Sequence, residues 1–197
     1  MLKKLVRYET VITDIMDAMM SMLPDGVYIV GEGPEDISGI RLVNQLAFDG
    51  DYEADLVDHL RRNCPSILSL VAKQGEEVIG HILFSPARIV QVDGWTVSGM
   101  GLAPLAVHPQ YQNKGIGSAL CQVGMQRMEA ESYPFVIVLG HPTYYPRFGF
   151  VKASIHGIRC AFEGVPDEAF MIRILDTATM FGVTGTAYYR QEFDEES

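Results

Sequence analysis

Apolar residues recur at helical spacing in four stretches of the chain, and each stretch predicts a helix. The first covers residues 2–23 and ends at the breaker sequence of residues 24–26. The second and third cover residues 34–48 and 53–63. The fourth begins at Ile116, directly after a loop that contains glycine.

Short apolar runs bounded by turn residues predict strands between and after these helices. Two pairs of runs are joined by short turns that contain glycine, which predicts two hairpins. The hairpin strands cover residues 66–73 and 77–84, and residues 88–92 and 95–98. The other predicted strands cover residues 27–31, 99–107, 134–140, 159–162, 169–175 and 183–189.

The strand over residues 77–84 alternates in a way that assigns its side chains to two faces. His81, Leu83 and Ser85 share one face, and Ile82 and Phe84 share the other. Two interpretations of His81 follow. It can face a cleft as a substrate contact or base, or it can be a structural histidine with satisfied hydrogen bonds, which we favour.

Composition describes an ordinary globular chain with an acidic surface. Of the 197 residues 48% are apolar, and the formal charge is −10. That charge disfavours a nucleic acid partner, which would require a basic face, and it suits a cationic amine substrate.

No apolar run is long enough for a membrane span, so we expect no membrane partner. Acidic residues interrupt residues 1–26, which argues against a signal peptide, and we expect a cytoplasmic protein.

The predicted domain organisation is a helical extension over residues 1–26 followed by a single domain over residues 27–197. The apolar stripe of the extension is rich in methionine. Such a stripe usually packs against its own domain, and the alternative is contact with a partner chain, which includes a homodimer. The acidic residues at 192–197 are predicted to be a solvated tail.

Three cysteines are widely spaced and show no metal-ligand pattern: Cys64, Cys121 and Cys160. They are predicted to be reduced thiols, and no metal site is expected. Cys121 lies on the fourth helix, where a small apolar role is favoured over that of a nucleophile.

The loop before the fourth helix has the properties of a phosphate site. It reads Gln112-x-x-Gly115-x-Gly117 and follows a strand that stops at Pro109. The first turn of a helix presents unpaired N–H groups and a partial positive charge, and glycine lets an anion approach the backbone closely. The spacing fits neither the nucleotide-hydrolase loop nor the dinucleotide fingerprint.

This loop resembles the acetyl-CoA pyrophosphate loop of the GNAT superfamily of N-acetyltransferases. A second match, Tyr145-x-x-x-Gly149-Phe150, follows one helix and one strand later. The resemblance covers residues 66–150. It implies an α/β (α+β) fold of the GNAT type, with a mixed, mostly antiparallel twisted sheet flanked by helices and a splayed central strand pair.

The resemblance also implies where acetyl-CoA, the expected co-substrate, binds. Pro104 is unusual inside a strand, and in this family the strand carries a bulge and splays from its neighbour to admit the pantetheine arm. An ordinary bulge without a ligand is the alternative. The residues expected to bind the cofactor are Leu105, Ala106, Val107, Gln112, Asn113, Lys114, Gly115, Ile116, Gly117 and Ser118.

The implied activity is transfer of an acetyl group to a primary amine, on a small molecule or a protein. Tyr145 is predicted to be the acid that protonates the leaving thiolate, and a purely structural aromatic role is the alternative. Its neighbour Tyr144 is expected to point elsewhere. The base stays open among His81, His141, Glu77 and a water chain. The competing functions are a non-catalytic acyl-CoA sensor or interaction module of the same fold, and transfer of a longer acyl group or transfer to a hydroxyl.

The same resemblance implies that the second and third predicted helices border the acceptor site. Phe48 and Tyr52 are therefore candidate substrate contacts.

Overall fold

The computed structural model describes residues 23–194, and helices and strands alternate irregularly along that part of the chain. The helices are α1 (Ile37–Phe48), α2 (Tyr52–Asn63) and α3 (Ile116–Ala130). The strands are β1 (Val27–Gly31), β2 (Leu68–Gln74), β3 (Glu77–Val90), β4 (Thr96–Val107), β5 (Phe135–Leu139), β6 (Val151–Lys152), β7 (Ile158–Cys160), β8 (Phe170–Ile174) and β9 (Gly185–Tyr188).

The strands form one mixed sheet, as the sequence predicted. Seven strands follow the order β1-β2-β3-β4-β5-β8-β6, and β9 lies beside the distal half of β3 and also pairs with β7. All pairs are antiparallel except β4 with β5 and β7 with β9. The mostly antiparallel sheet with flanking helices confirms the predicted fold class.

Side-chain alternation on β3 divides the core into two layers, and the predicted faces are confirmed. Leu83 packs with buried residues of α1 and α2, whereas Ile82 and Phe84 pack beneath α3. The ring of Phe84 lies so close to Gly124 that a Cβ on that residue would clash with it. Glycine at this point of α3 therefore lets the helix approach the sheet closely.

Several boundaries differ from the predictions. The runs at 77–84 and 88–92 belong to the single strand β3, and those at 95–98 and 99–107 belong to β4. Both predicted hairpins are confirmed, at the turns that contain Gly75 and Gly94, but they share the long strand β3. Strand β6 has two residues and was not predicted. The helix predicted over residues 2–23 falls almost wholly outside the described residues.

The prediction of a solvated acidic tail is wrong for Glu192. Its side chain is buried and forms a 2.7 Å ion pair with Arg190. The pKa of the Glu192 carboxyl lies below its usual range because Arg190 hydrogen-bonds to it, although burial opposes ionisation. Charge alone suggested solvation, and the paired arginine two residues earlier makes burial possible.

Across residues 23–194, helices long and apolar enough to cross a bilayer are absent. The same part of the chain contains no group of three or more side chains placed to hold a metal ion.

Candidate active site

A gap opens between the two central parallel strands. Pairing of β4 with β5 runs from Met100 to Leu102 on β4 and stops there. At the next position β4 carries the bulge predicted from Pro104, because the register against β3 shifts between Ile82 and Phe84. Beyond the bulge β4 continues beside β3, and within residues 23–194 its other edge has no strand partner.

The backbone of Val107 directs its N–H into this gap. The next residue, His108, donates its N–H to the carbonyl of Ile79 on β3 at 2.9 Å. Amide directions alternate along a strand, so the Val107 N–H points to the opposite edge. The Val107 carbonyl points the same way and accepts a bond from the Gln112 side chain at 3.1 Å. The loop after β4, through Gln112, thus helps to hold the Val107 N–H at the edge of the gap.

Two residues of the loop between β4 and α3 have backbone angles in the left-handed region. Asn113 has φ of 60° and Gly115, the residue before the helix, has φ of 83°. This curvature brings the loop directly against the N–H groups in the first turn of α3. A Cβ on Gly117 would lie 2.9 Å from the Tyr144 hydroxyl, so glycine is required for the close approach here.

One cleft of about 1280 Å³ joins the loop to the gap. Its walls include most of the residues predicted to bind the cofactor: Leu105, Val107, Gln112, Asn113, Gly115, Ile116, Gly117 and Ser118. Ala106 does not line it, because its side chain is buried among residues of α1 and α2. Lys114 does not line it either, and its ammonium lies 5.0 Å from the centre of the Tyr111 ring.

Tyr145 lies in the wall of the cleft, on the 3₁₀ turn Tyr145–Phe148 after β5. Its ring packs edge-on against Tyr144 and Phe150, and it is 8% exposed. Within residues 23–194 its hydroxyl has no hydrogen-bond partner, and it is not fully enclosed. Burial raises the pKa of the Tyr145 phenol far above its usual value, so the group stays protonated at neutral pH.

Tyr144 also lines the cleft, but its hydroxyl points to the start of α3. There it forms a hydrogen bond with Ser118, and burial raises the pKa of the Tyr144 phenol. The guanidinium of Arg147 lies 4.7 Å from the centre of the Tyr144 ring and also lines the cleft. Sequence reasoning missed both as site residues. The sequence signal that could have identified them is the three-residue spacing of Tyr144 and Arg147, which places both side chains on one face of the turn after β5.

His81 is buried and lies outside the lining of the cleft. Its Nδ1 lies 3.0 Å from the Asn44 amide nitrogen, and its Nε2 lies 3.0 Å from the Ser69 hydroxyl. An amide nitrogen can only donate, so Nδ1 accepts and Nε2 carries the proton. Burial lowers the pKa of His81 to about 3. The structural interpretation of this histidine is the one that its environment supports.

His141 lies at the carboxyl end of β5, exposed in the cleft wall. Glu77, at the start of β3, is exposed and lies outside the lining. The end of α1 and the start of α2 also line the cleft, where they place Phe48 and Tyr52, the candidate substrate contacts.

The sequence and the fold are similar to those of one family of known proteins. The family described as "Acetyltransferase (GNAT) domain" matches residues 33–153. The uncharacterized N-acetyltransferase YhbS of Escherichia coli K12 is 37% identical over 164 residues, which is 83% of this chain and 96% of that protein. The uncharacterized N-acetyltransferase YjhQ of the same strain is 41% identical over 157 residues, which is 79% of this chain and 86% of that protein.

Two solved structures share the fold at comparable identity. The crystal structure of Escherichia coli YhbS in complex with CoA superposes with a TM-score of 0.80 at 34% identity, covering 87% of this chain and 93% of that one. A GNAT family acetyltransferase from Brucella melitensis in complex with acetyl-CoA gives 0.68 at 31% identity, covering 85% and 98%. The chain described here belongs to the GNAT family of acetyltransferases.

Proposed function

We propose that this acyltransferase moves the acetyl group of acetyl-CoA to a primary amine, on a small molecule or a protein, by direct attack. The observation that carries the proposal is the continuity of the cleft. It runs from the loop before α3 and from Gly117 at the start of that helix, past the gap beside Val107, to the unpaired phenol of Tyr145. A diphosphate, a pantetheine arm and a thioester occur in that order in acetyl-CoA.

The phosphate end of the cleft suits a diphosphate for two independent reasons. The N–H groups at the start of α3 are unpaired donors, and the glycines leave the backbone accessible. Arg147 adds a cation at the same end. The complexes of YhbS with CoA and of the Brucella protein with acetyl-CoA support this assignment.

The gap end suits the reaction itself. The amine nitrogen attacks the thioester carbonyl carbon, the carbon–sulfur bond breaks, and CoA leaves as a thiol. The Val107 N–H is the donor proposed for the oxyanion that develops on the carbonyl oxygen. Tyr145 is proposed to donate its phenolic proton to the departing sulfur, and the proton that the attacking nitrogen loses returns to the phenolate through solvent.

An ammonium group must lose a proton before it can attack, because its nitrogen has no free lone pair. His141 is the exposed imidazole in the cleft wall and can accept that proton directly or through water. His81 is unsuited to this role, since both of its ring nitrogens are engaged in a buried network.

The test uses the full-length protein with acetyl-CoA and a broad panel of amines. Calorimetric titration should detect acetyl-CoA binding, and free thiol should appear faster than the background rate with at least one amine. Binding without thiol release across the panel would favour the non-catalytic sensor. Failure to bind acetyl-CoA would overturn both functions.

A further inference from the structure

The end of the cleft opposite the phosphate loop is lined mainly by aromatic side chains. They come from α1, α2, the loop after β7 and the C-terminal segment after β9 (residues 189–194), and they are Phe48, Tyr52, Phe162, Tyr189 and Phe193. Phe48 is 41% exposed and Tyr52 is 44% exposed, so rings at the mouth remain accessible. Exposed aromatic rings that line a concave surface are typical of ligand contacts.

These rings form a connected wall rather than separate contacts. Tyr189 stacks on Phe162 with ring centres 6.0 Å apart, and it contacts Phe193 at 4.8 Å. The Tyr52 hydroxyl lies 3.5 Å from the carbonyl of Phe193, which joins α2 to the C-terminal turn. The wall therefore reaches from the mouth of the cleft to the gap between the central strands.

One carboxylate in this wall differs from its neighbours on α2. Asp55 pairs with Arg41 at 2.7 Å, and Asp58 pairs with Arg41 and Arg61. Glu53 lines the cleft, is partly buried, and has neither an ion pair nor a hydrogen bond within residues 23–194. A carboxylate without a partner inside an aromatic cleft is suited to a cationic ligand.

We propose that the acceptor is a primary amine on a flat apolar skeleton, with its ammonium group near Glu53 and its skeleton against the aromatic wall. This proposal rests on the proposed function and specifies its substrate class. Rings attract apolar faces and cations, whereas they offer few partners to hydroxyl groups. Amino sugars would leave their hydroxyl groups unpaired against this wall, and polyamines have no flat apolar face to pack on it.

The experiment compares acceptors at saturating acetyl-CoA by thiol release with the full-length protein. Phenethylamine represents the proposed class, spermidine the polyamines, glucosamine the amino sugars, and a lysine-containing peptide the protein acceptors. We expect kcat/KM for phenethylamine to exceed each of the others by at least about tenfold.

Variants separate recognition from structure. Glu53→Gln should raise the KM for phenethylamine by about tenfold, with the KM for acetyl-CoA unchanged, because one charge-assisted contact is lost. Glu53→Asp should recover part of the loss. The control is Glu35→Gln, since Glu35 is exposed in the turn before α1 and lies outside the cleft lining. It should leave both constants unchanged.

The outcomes distinguish this proposal from the proposed function. Turnover that favours spermidine, glucosamine or the peptide would overturn the acceptor class and leave the acetyltransferase activity in place. An unchanged KM in Glu53→Gln would overturn the role of Glu53, because a carboxylate that only stabilises the start of α2 would change stability instead. Bound acetyl-CoA without turnover on any amine would overturn the proposed function itself.

Discussion

The phenol oxygen of Tyr189 accepts a hydrogen bond from the backbone N–H of Leu139 at 3.0 Å. Leu139 ends β5, one residue beyond Val138, where pairing with β4 stops. The next amide, of Gly140, donates away from β4 to Ala169. The Leu139 N–H therefore faces the gap, and a side chain from the end of β9 replaces the missing strand as its partner.

Tyr189→Phe should lower the free energy of unfolding by about 1 kcal/mol, because it leaves the Leu139 N–H without an acceptor. Urea denaturation monitored by circular dichroism measures the change. Tyr188→Phe is the matched control: Tyr188 is the adjacent residue, and its ring lies beside Arg88 rather than in the gap. Equal stabilities for the two variants would show that the Tyr189 bond contributes nothing.

Tyr145→Phe should reduce kcat by at least about tenfold with little change in the KM for acetyl-CoA, because only the proton donor is removed. Burial holds the pKa of the Tyr145 phenol well above its usual value, so deprotonation of this group should not limit the rate at neutral pH. Steady-state thiol release over a range of pH measures both effects.

Tyr144 is unsuitable as the control, since its hydroxyl bonds to Ser118 at the start of α3. Tyr133→Phe replaces it, because Tyr133 packs against the core beyond α3 and lies outside the cleft lining. A kcat for Tyr145→Phe equal to that of Tyr133→Phe would remove Tyr145 from the proton transfer.

Gly117→Ala should weaken acetyl-CoA binding by about tenfold or more. The added methyl group would lie where the backbone is proposed to meet the diphosphate, and 2.9 Å from the Tyr144 hydroxyl. Calorimetric titration measures the dissociation constant. Gly31→Ala is the control, since no atom of residues 23–194 lies within 4 Å of its added Cβ. Unchanged affinity in Gly117→Ala would place the diphosphate elsewhere.

Local sequence patterns predicted the elements that depend on neighbouring residues. The bulge at Pro104 and the glycine loop before α3 follow from backbone constraints on single residues, so the sequence was sufficient to locate them. The two faces of β3 follow from strand alternation in the same way.

The aromatic wall and the Tyr189 bond could not be predicted in this way. Tyr52 and Phe193 are separated by 141 residues, and only the pairing of β9 with β3 brings the C-terminal segment beside α2. Glu192 was assigned to a solvated tail for the same reason, because its partner and its burial depend on where that segment packs. Contacts between distant segments carry no local signal.

Hydrogen bonds and an ion pair around the buried His81 link α1, β2 and α2 on one face of the sheet. Asn44 of α1 donates to Nδ1, and Nε2 donates to Ser69 of β2, which in turn donates to Glu32. Arg61 of α2 binds Glu32 at 2.7 Å. The charged groups that face the ring are therefore one carboxylate and one guanidinium. Burial, the largest effect, and the guanidinium of Arg61 lower the pKa of His81, and the carboxylate of Glu32 opposes them.

This network should make the protein less stable as pH falls. The pKa of His81 is about 3 in the folded protein and 6.5 in an unperturbed imidazole, so between these values the unfolded chain binds one more proton. The free energy of unfolding should then fall with pH by up to about 1.4 kcal/mol per unit, starting near the upper value. His81→Gln should be less stable at pH ~7 but should lose less stability between pH ~7 and ~5, before most carboxylates titrate.

Urea denaturation at each pH measures the slopes, and His141→Gln, which alters an exposed ring, should keep the wild-type slope. Identical slopes for His81→Gln and the wild type would show that this imidazole takes up its proton over the same pH range in the folded and unfolded chains, and would overturn its assignment as a buried neutral group.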